Sequence, residues 1–408
     1  MLSADRIMQR CDALARHSEL PGGLTRVYLS PENRAANELV LEWMREAGMQ
    51  ARVDAIGNVV GRYEADASGR PALVLGSHLD TVRDAGRYDG MLGVVTAIEC
   101  VAALTEKRKR LPFAIEVVGF GDEEGVRFGT TMLGSRALAG TLDASALEAR
   151  DARGVTVKEA LRGFGLEPAG VDTVARRKGD VLAYVELHIE QGPVLEAEGL
   201  AVGVVSAING FSRLRATLRG TAGHAGTVPM RLRRDALTAA AECVLAIERI
   251  ARNDPELVGT VGRIEAKPGA INVIPGEVEF TIDIRAPRDE LRSRAVAAAR
   301  SEVQALAARR SLGCEIAPIQ ELGVTRCAPW LMQQLARAVA AQGVRVLELP
   351  SGAGHDGQAM SALTDVAMLF VRCKGGVSHN PAEAISAEDA GIAARALLHF
   401  IEHFELRR

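Results

Sequence analysis

Apolar positions fall into two textures along this chain, and the change of texture divides it. Through roughly the first 210 residues, short apolar runs alternate with stretches of helical period. ALVLGSH (72–78) and FAIEVVGF (113–120) are brief apolar segments that end in polar or glycine-rich turns, as buried strands do. YVELHI (184–189) reads the same way, and RVDAIGNVVGRYEA (52–65) reads as a hairpin turning at Gly57-Asn58. GVVTAIECVAALTEK (93–107) has the length and period of a helix, and the N-terminal MLSADRIMQRCDALARHSEL is an amphipathic helical pattern. Near-continuous apolar strands interleaved with helices predict an α/β core: a mixed, mainly parallel sheet flanked by helices.

From about residue 211 the apolar positions alternate instead. FSRLRATLRG (211–220) places Arg213, Arg215, Thr217 and Arg219 on one face and Leu214, Ala216 and Leu218 on the other. VEFTIDIR (278–285) turns Val278, Phe280, Ile282 and Ile284 inward, and CEIAPI (314–319) closes the block. Long helical patterns at 234–252 and 288–310 accompany these strands. Half-exposed strands with two helices predict an α+β unit, one sheet face covered and the other free. After about residue 326 the first texture returns, with a helix at 329–342, a strand in AMLFVR (367–372) and a helix from 386. The predicted organisation is one discontinuous domain, 1–210 and 326–408, interrupted by an inserted α+β domain at 211–325.

Composition narrows the possible functions. The 408 residues are 48% hydrophobic and 25% charged, ordinary for a soluble globular chain. A formal net charge of −3 without a long basic run argues against nucleic acid or an anionic membrane as partner. No run reaches the 18 or so apolar residues that span a bilayer, and the N-terminus lacks a signal peptide's apolar core. The six cysteines are scattered without a CxxC pair, which predicts buried thiols in a reducing cytoplasm.

With eight histidines in the chain, their placement carries information. His78 ends the strand in GSHLDTV, His188 sits at a strand end in ELHIEQGP, and His379 follows the last strand in GGVSHNPAE. Asp89 lies in the RYDG loop, and GFGDEEGVRFG (119–129) sets Asp122, Glu123 and Glu124 side by side where another strand stops. Adjacent carboxylates disfavour one another's ionised form, so such a triplet alone reads as a solvated acidic turn. In open α/β sheets, however, ligand sites form at the carboxyl ends of strands, where all these groups would converge. Imidazoles with carboxylates suit zinc and similar divalent ions, and Asp80 is spaced to hold the His78 ring from behind. His17, His399 and His403 lie on helical segments without companions and take no role.

These residues carry a resemblance. GSHLDTV, GRYDG, GDEEGVRFG, GSRALAG, ELHIEQGP, GTAGHAGTVPM, GAINVIPG, DIR, SGAGHDGQAM and GGVSHNPAE occur in the order seen in the di-metal aminoacylase/carboxypeptidase superfamily. The chain most resembles its hydantoinase/carbamoylase amidase branch, which includes N-carbamoyl-L-amino acid hydrolases, allantoate amidohydrolases and β-ureidopropionases. The resemblance implies two divalent metal ions per subunit, zinc or manganese, with cobalt or nickel also compatible. His78 and His188 would hold one ion, Glu124 and His379 the other, and Asp89 would bridge them. Glu123 would act as general base and His224 would stabilise the developing oxyanion. Gln191 would face the substrate's ureido group, Asn272 and Arg285 would hold its carboxylate, and His355 would lie near the substrate. The inserted domain would be a lid and dimerisation domain, lending residues to the neighbouring subunit's site in a homodimer.

The implied reaction is metal-dependent hydrolysis of the carbamoyl (ureido) C–N bond of an N-carbamoyl-L-amino acid, releasing amino acid, carbon dioxide and ammonia. The alternatives are an allantoate amidohydrolase, a β-ureidopropionase, and an N-acyl amino acid deacylase or peptidase. The HIEQGP string argues against the last, because peptidase relatives typically carry an acidic residue where His188 stands. A non-catalytic binding protein on the same fold is the reading from another class.

Overall fold

The computed structural model describes residues 2–407. At its centre lie four parallel strands, in the spatial order Ala114–Phe120, Ala72–His78, Val181–Ile189 and Val366–Val371. Antiparallel strands extend them on both sides: Val59–Tyr63 and Gln50–Val53 beyond the first, Val202–Ile208 beyond the last. The sheet is therefore mixed and mainly parallel. Every residue of Ala72–His78 and Ala114–Phe120 is buried, because helices cover both faces.

Alternation sends successive side chains to different layers. Leu73, Leu75 and Val117 join a core with Ile7, Leu14, Val40, Leu92, Ile98 and Leu397, contributed by the helices Ala4–Ala15, Pro31–Glu46, Met91–Glu106 and Ala387–Glu402. Val74, Val118 and Phe120 face a second core with Tyr28, Leu133, Val157, Leu161 and Tyr184. That second layer comes largely from residues 130–175, short helices whose apolar period is too brief to stand out in the sequence. One local signal is present there. Thr156 and Glu159 form a reciprocal capping box at the start of Val157–Gly163.

The chain divides into two units, Met1–Ser206 with Cys327–Leu349 and Ala353–Arg408, and Ala207–Arg326 with Pro350–Gly352. The second unit thus starts four residues before the texture change at 211 and takes in Pro350–Gly352, which the sequence pattern placed with the flanking domain. Its antiparallel sheet runs Ile264–Lys267, Glu277–Ala286, Gly210–Arg219, Gly313–Leu322, with Val258–Thr260 also pairing with Glu277–Ala286. Val278, Phe280, Ile282 and Ile284 are at most 2% exposed, and Ala236–Arg252 and Asp289–Arg309 cover that face. Removing the Phe280 ring would leave a void in this core and cost about 3–5 kcal/mol. Among the described residues no helix is long and apolar enough to cross a membrane.

Candidate active site

Parallel pairing brings the carboxyl ends of the four central strands to one edge of the first unit's sheet. His78 is the last residue of its strand and lies in register with Phe120, so GDEEG begins beside it. His188 lies in register with Phe370 on the next strand pair. The chain leaving His78 reaches Asp89 before entering the helix Met91–Glu106. Gly90, between Asp89 and that helix, has φ +76°, and a Cβ there would lie 2.6 Å from the His78 ring. Glycine permits both the conformation and the contact.

Asp89 is 3% exposed and its two oxygens address different partners. Oδ1 lies 3.2 Å from His188 Nε2 and 3.8 Å from His78 Nε2. Oδ2 lies 3.2 Å from His379 Nε2, which is in turn 3.5 Å from Glu124 Oε1. Two groups of potential ligands result, His78–Asp89–His188 and Asp89–Glu124–His379, each with its donor atoms within 4.8 Å of one another. A third group, His78–Glu123–Glu124, meets the same criterion.

The His78 and His188 rings are held from behind. His78 Nδ1 lies 3.0 Å from the Asp80 carbonyl oxygen, and His188 Nδ1 2.9 Å from the Ile189 carbonyl oxygen. The Asp80 carboxylate, expected to brace His78, stands 3.8 Å from Nδ1 and instead accepts the backbone N–H groups of Glu123 (3.1 Å) and Glu124 (3.2 Å). The turn after Phe120 leaves those donors without partners of their own, and the buried carboxylate satisfies them. Asp122 in the same turn is fully buried at φ +61°, with neither carboxyl oxygen hydrogen-bonded. Gln191 (φ +57°) and His379 (φ +53°) share this left-handed backbone, a strain typical of functional loops.

Electrostatics show what the cluster lacks. Burial, reinforced by Asp89, raises the Glu124 carboxyl to about 7. Burial also pushes Glu123 well above the usual carboxylate range, with Glu124 and Asp356 adding repulsion against the attraction of His78. For His78 burial works the other way, yet Glu123, Asp89, Asp80 and Glu124 carry its imidazole well above the ordinary value. Among the described residues no lysine or arginine forms an ion pair with Asp89, Glu123 or Glu124. Buried acids with imidazoles and no basic side chain form a donor set that fits divalent cations.

The other residues predicted for the site fall into two groups. Gln191 Nε2 lies 3.2 Å from both Asp89 oxygens and 3.3 Å from His379 Nε2, while its Oε1 is buried without a partner. His355 is 1% exposed, its ring edge-on to His188 with centroids 4.5 Å apart. Burial and His188 hold its imidazole well below the usual value. His224, Asn272 and Arg285 belong to the second unit. His224 and Asn272 are exposed, and the Ala225 N–H donates to the Asn272 carbonyl. The Arg285 guanidinium donates to Asp283 (2.9 and 3.0 Å) and to the Gly352 carbonyl (2.9 Å). Sequence reasoning gave no role to Glu383 or Ser378, although both lie in the quoted GGVSHNPAE string.

Residues 74–403 match peptidase family M20/M25/M40. The chain is 42% identical over 402 residues to an N-carbamoyl-L-amino acid amidohydrolase of Geobacillus stearothermophilus, covering 98% of each chain. It is 40% identical to allantoate deiminase 1 of Glycine max, covering 98% of this chain and 89% of the relative. The crystal structure of a hydantoinase/carbamoylase family amidase from Burkholderia multivorans superposes with a TM-score of 0.92 at 33% identity, over 98% of this chain and 97% of that one. The chain therefore belongs to peptidase family M20/M25/M40 and, within it, to the hydantoinase/carbamoylase amidases.

Proposed function

We propose that this protein hydrolyses the ureido C–N bond of an N-carbamoyl-L-amino acid, giving the amino acid, carbon dioxide and ammonia. The observation that carries the reading is the split address of Asp89, one oxygen 3.2 Å from His188 and the other 3.2 Å from His379. His78 and His188 would hold one divalent ion, Glu124 and His379 a second, with Asp89 between them; zinc, manganese, cobalt and nickel all suit such N/O donors. Ions bound there would supply Lewis acidity toward a water molecule and the substrate carbonyl. Glu123, beside both groups and free of any arginine or lysine, would take the proton of the attacking water and pass it to the leaving nitrogen. The unpartnered Oε1 of Gln191 is an acceptor suited to a ureido N–H₂.

The remaining roles follow the family pattern. Arg285 and Asn272 would bind the substrate carboxylate, Arg285 by exchanging Asp283 for it, since a guanidinium suits bidentate carboxylate capture. His355 would contribute a neutral imidazole near the substrate. His224, exposed on the second unit, would donate to the oxyanion of a neighbouring subunit in a homodimer. The six cysteines form no disulfide, which suits a reducing cytoplasm.

Allantoate is the second reading, kept by the 40% identity to an allantoate deiminase beside the 42% identity to an N-carbamoyl-L-amino acid amidohydrolase. Ammonia release from N-carbamoyl-L-amino acids, allantoate and 3-ureidopropionate, and acetate release from N-acetyl amino acids, assayed with manganese or zinc, separate the cases. Preference for allantoate replaces the first reading with the second. Hydrolysis of the N-acetyl compounds alone removes both.

A further inference from the structure

We propose that Glu383 is a positioning residue, fixing the Asp89 carboxylate and the His379 loop at the separation that two cations require. The inference rests on the two-ion reading above and goes beyond it, because Glu383 faces neither ion nor substrate in that reading. Its carboxylate is 3% exposed and joins loops from opposite ends of the chain. One oxygen accepts the backbone N–H groups of Tyr88 (2.8 Å) and Asp89 (3.2 Å). The other accepts the hydroxyl of Ser378 (2.8 Å), the residue before His379. Ser378 Oγ also lies 3.4 Å from Gln191 Nε2, which contacts both Asp89 oxygens at 3.2 Å. A closed ring results, from Glu383 through Ser378 and Gln191 to Asp89, and back through the Asp89 N–H.

Three features separate this from an ordinary loop staple. All three partners of Glu383 are donors, and a carboxylate accepts from all of them without a proton of its own to place. Among the described residues no basic side chain forms an ion pair with it, so its place is defined by the two loops alone. Gly86 lies so close that a Cβ there would stand 2.2 Å from the Glu383 carboxyl carbon, so the loop before Asp89 rests directly on this side chain. Asp89 can address both imidazole-containing groups only while its backbone and carboxylate plane are held. Metal–oxygen distances of about 2.0–2.2 Å leave tolerance of only about 0.2 Å.

The test titrates metal-free wild type, Glu383→Gln, Glu383→Ala and Ser378→Ala with zinc or manganese by calorimetry. Metal content and circular dichroism are measured in parallel. Wild type is expected to bind two ions per chain, and Glu383→Ala to bind at least one of them about 10–100-fold more weakly. Glu383→Gln, which keeps one acceptor oxygen, and Ser378→Ala are expected to show smaller losses in the same direction. Turnover of Glu383→Ala should recover as metal is added, with KM unchanged, because the defect lies in ion binding. Wild-type metal affinity in Glu383→Ala overturns the inference; if that variant does not fold, wild-type affinity in both Glu383→Gln and Ser378→Ala overturns it. A wild-type protein that binds no divalent ion removes the two-ion reading and this inference together, so the two failures are distinguishable.

Discussion

On the free sheet face of the second unit, Asp283 takes hydrogen bonds from Arg213 at 3.1 Å and from Arg285 at 2.9 and 3.0 Å. At the strand ends of the first unit, Asp89, Glu123 and Glu124 meet imidazoles, one another and the Gln191 amide, and among the described residues none of them pairs with a lysine or arginine. The first arrangement is closed, its charges balanced by neighbours in the same chain and partly in contact with water. Such half-exposed pairs contribute about 0–1 kcal/mol. The second is open, and enclosing carboxylates without a counter-charge costs several kcal/mol per ion. Acidic side chains occur in both units, so the presence of acids by itself identifies no site. What distinguishes the strand-end cluster is that imidazoles, and no lysine or arginine among the described residues, face its carboxylates, with Asp89 and His78 buried.

The largest test of this contrast is chemical. Glu123→Gln is expected to lower turnover about 10²–10⁴-fold while metal content stays near wild type, read by ammonia release and elemental analysis. Loss of metal with the activity would instead make Glu123 a ligand and reverse its role with Glu124.

Removing metal should expose the open charge as a pH dependence. Burial raises Glu124 to about 7, and the carboxylates around His78 raise its imidazole well above the ordinary value. Both groups bind protons more tightly in the folded chain than in the unfolded one. Stability from that source is therefore present at low pH and lost as pH rises through the folded-state values. Chelator-treated protein is expected to melt on the order of 5 °C lower at pH 8 than at pH 6, with added metal flattening the difference. A metal-free melting curve indifferent to pH would mean that the cluster is closed after all.

The second unit should respond more mildly. Arg285→Ala is expected to raise KM about 10–100-fold with kcat little changed, as loss of a charge-assisted carboxylate contact would do. Arg213→Ala, which removes one of the two arginines on Asp283, is expected to shift Tm by less than about 2 °C and to leave KM within about threefold. If the two variants behave alike, the arginine pair acts as one unit and the separate role given to Arg285 fails.

Much of this was legible beforehand, unevenly. Val278, Phe280, Ile282 and Ile284 announced their strand because an amphipathic sheet must alternate, and the observed strand Glu277–Ala286 does so at every position. The spacing of Asp80 predicts a brace for the His78 ring, yet its carboxylate serves the Glu123 and Glu124 N–H groups. Hydrogen-bond demand in a turn depends on the path of the backbone, which residue spacing does not reveal. The layer formed by residues 130–175 escaped for a related reason. Its helices are short, and their burial is dictated by the sheet face of Val74 and Val118 across from them.

The order and chemistry of residues along the chain settled which elements form and which side chains could bind a cation, since period and residue type are local properties. Folding decided that His188 and His379 meet opposite oxygens of one aspartate, and that Glu383 reaches back almost three hundred residues to the backbone of that aspartate. Those are distances of a few ångströms between parts of the chain that only parallel strand pairing brings together.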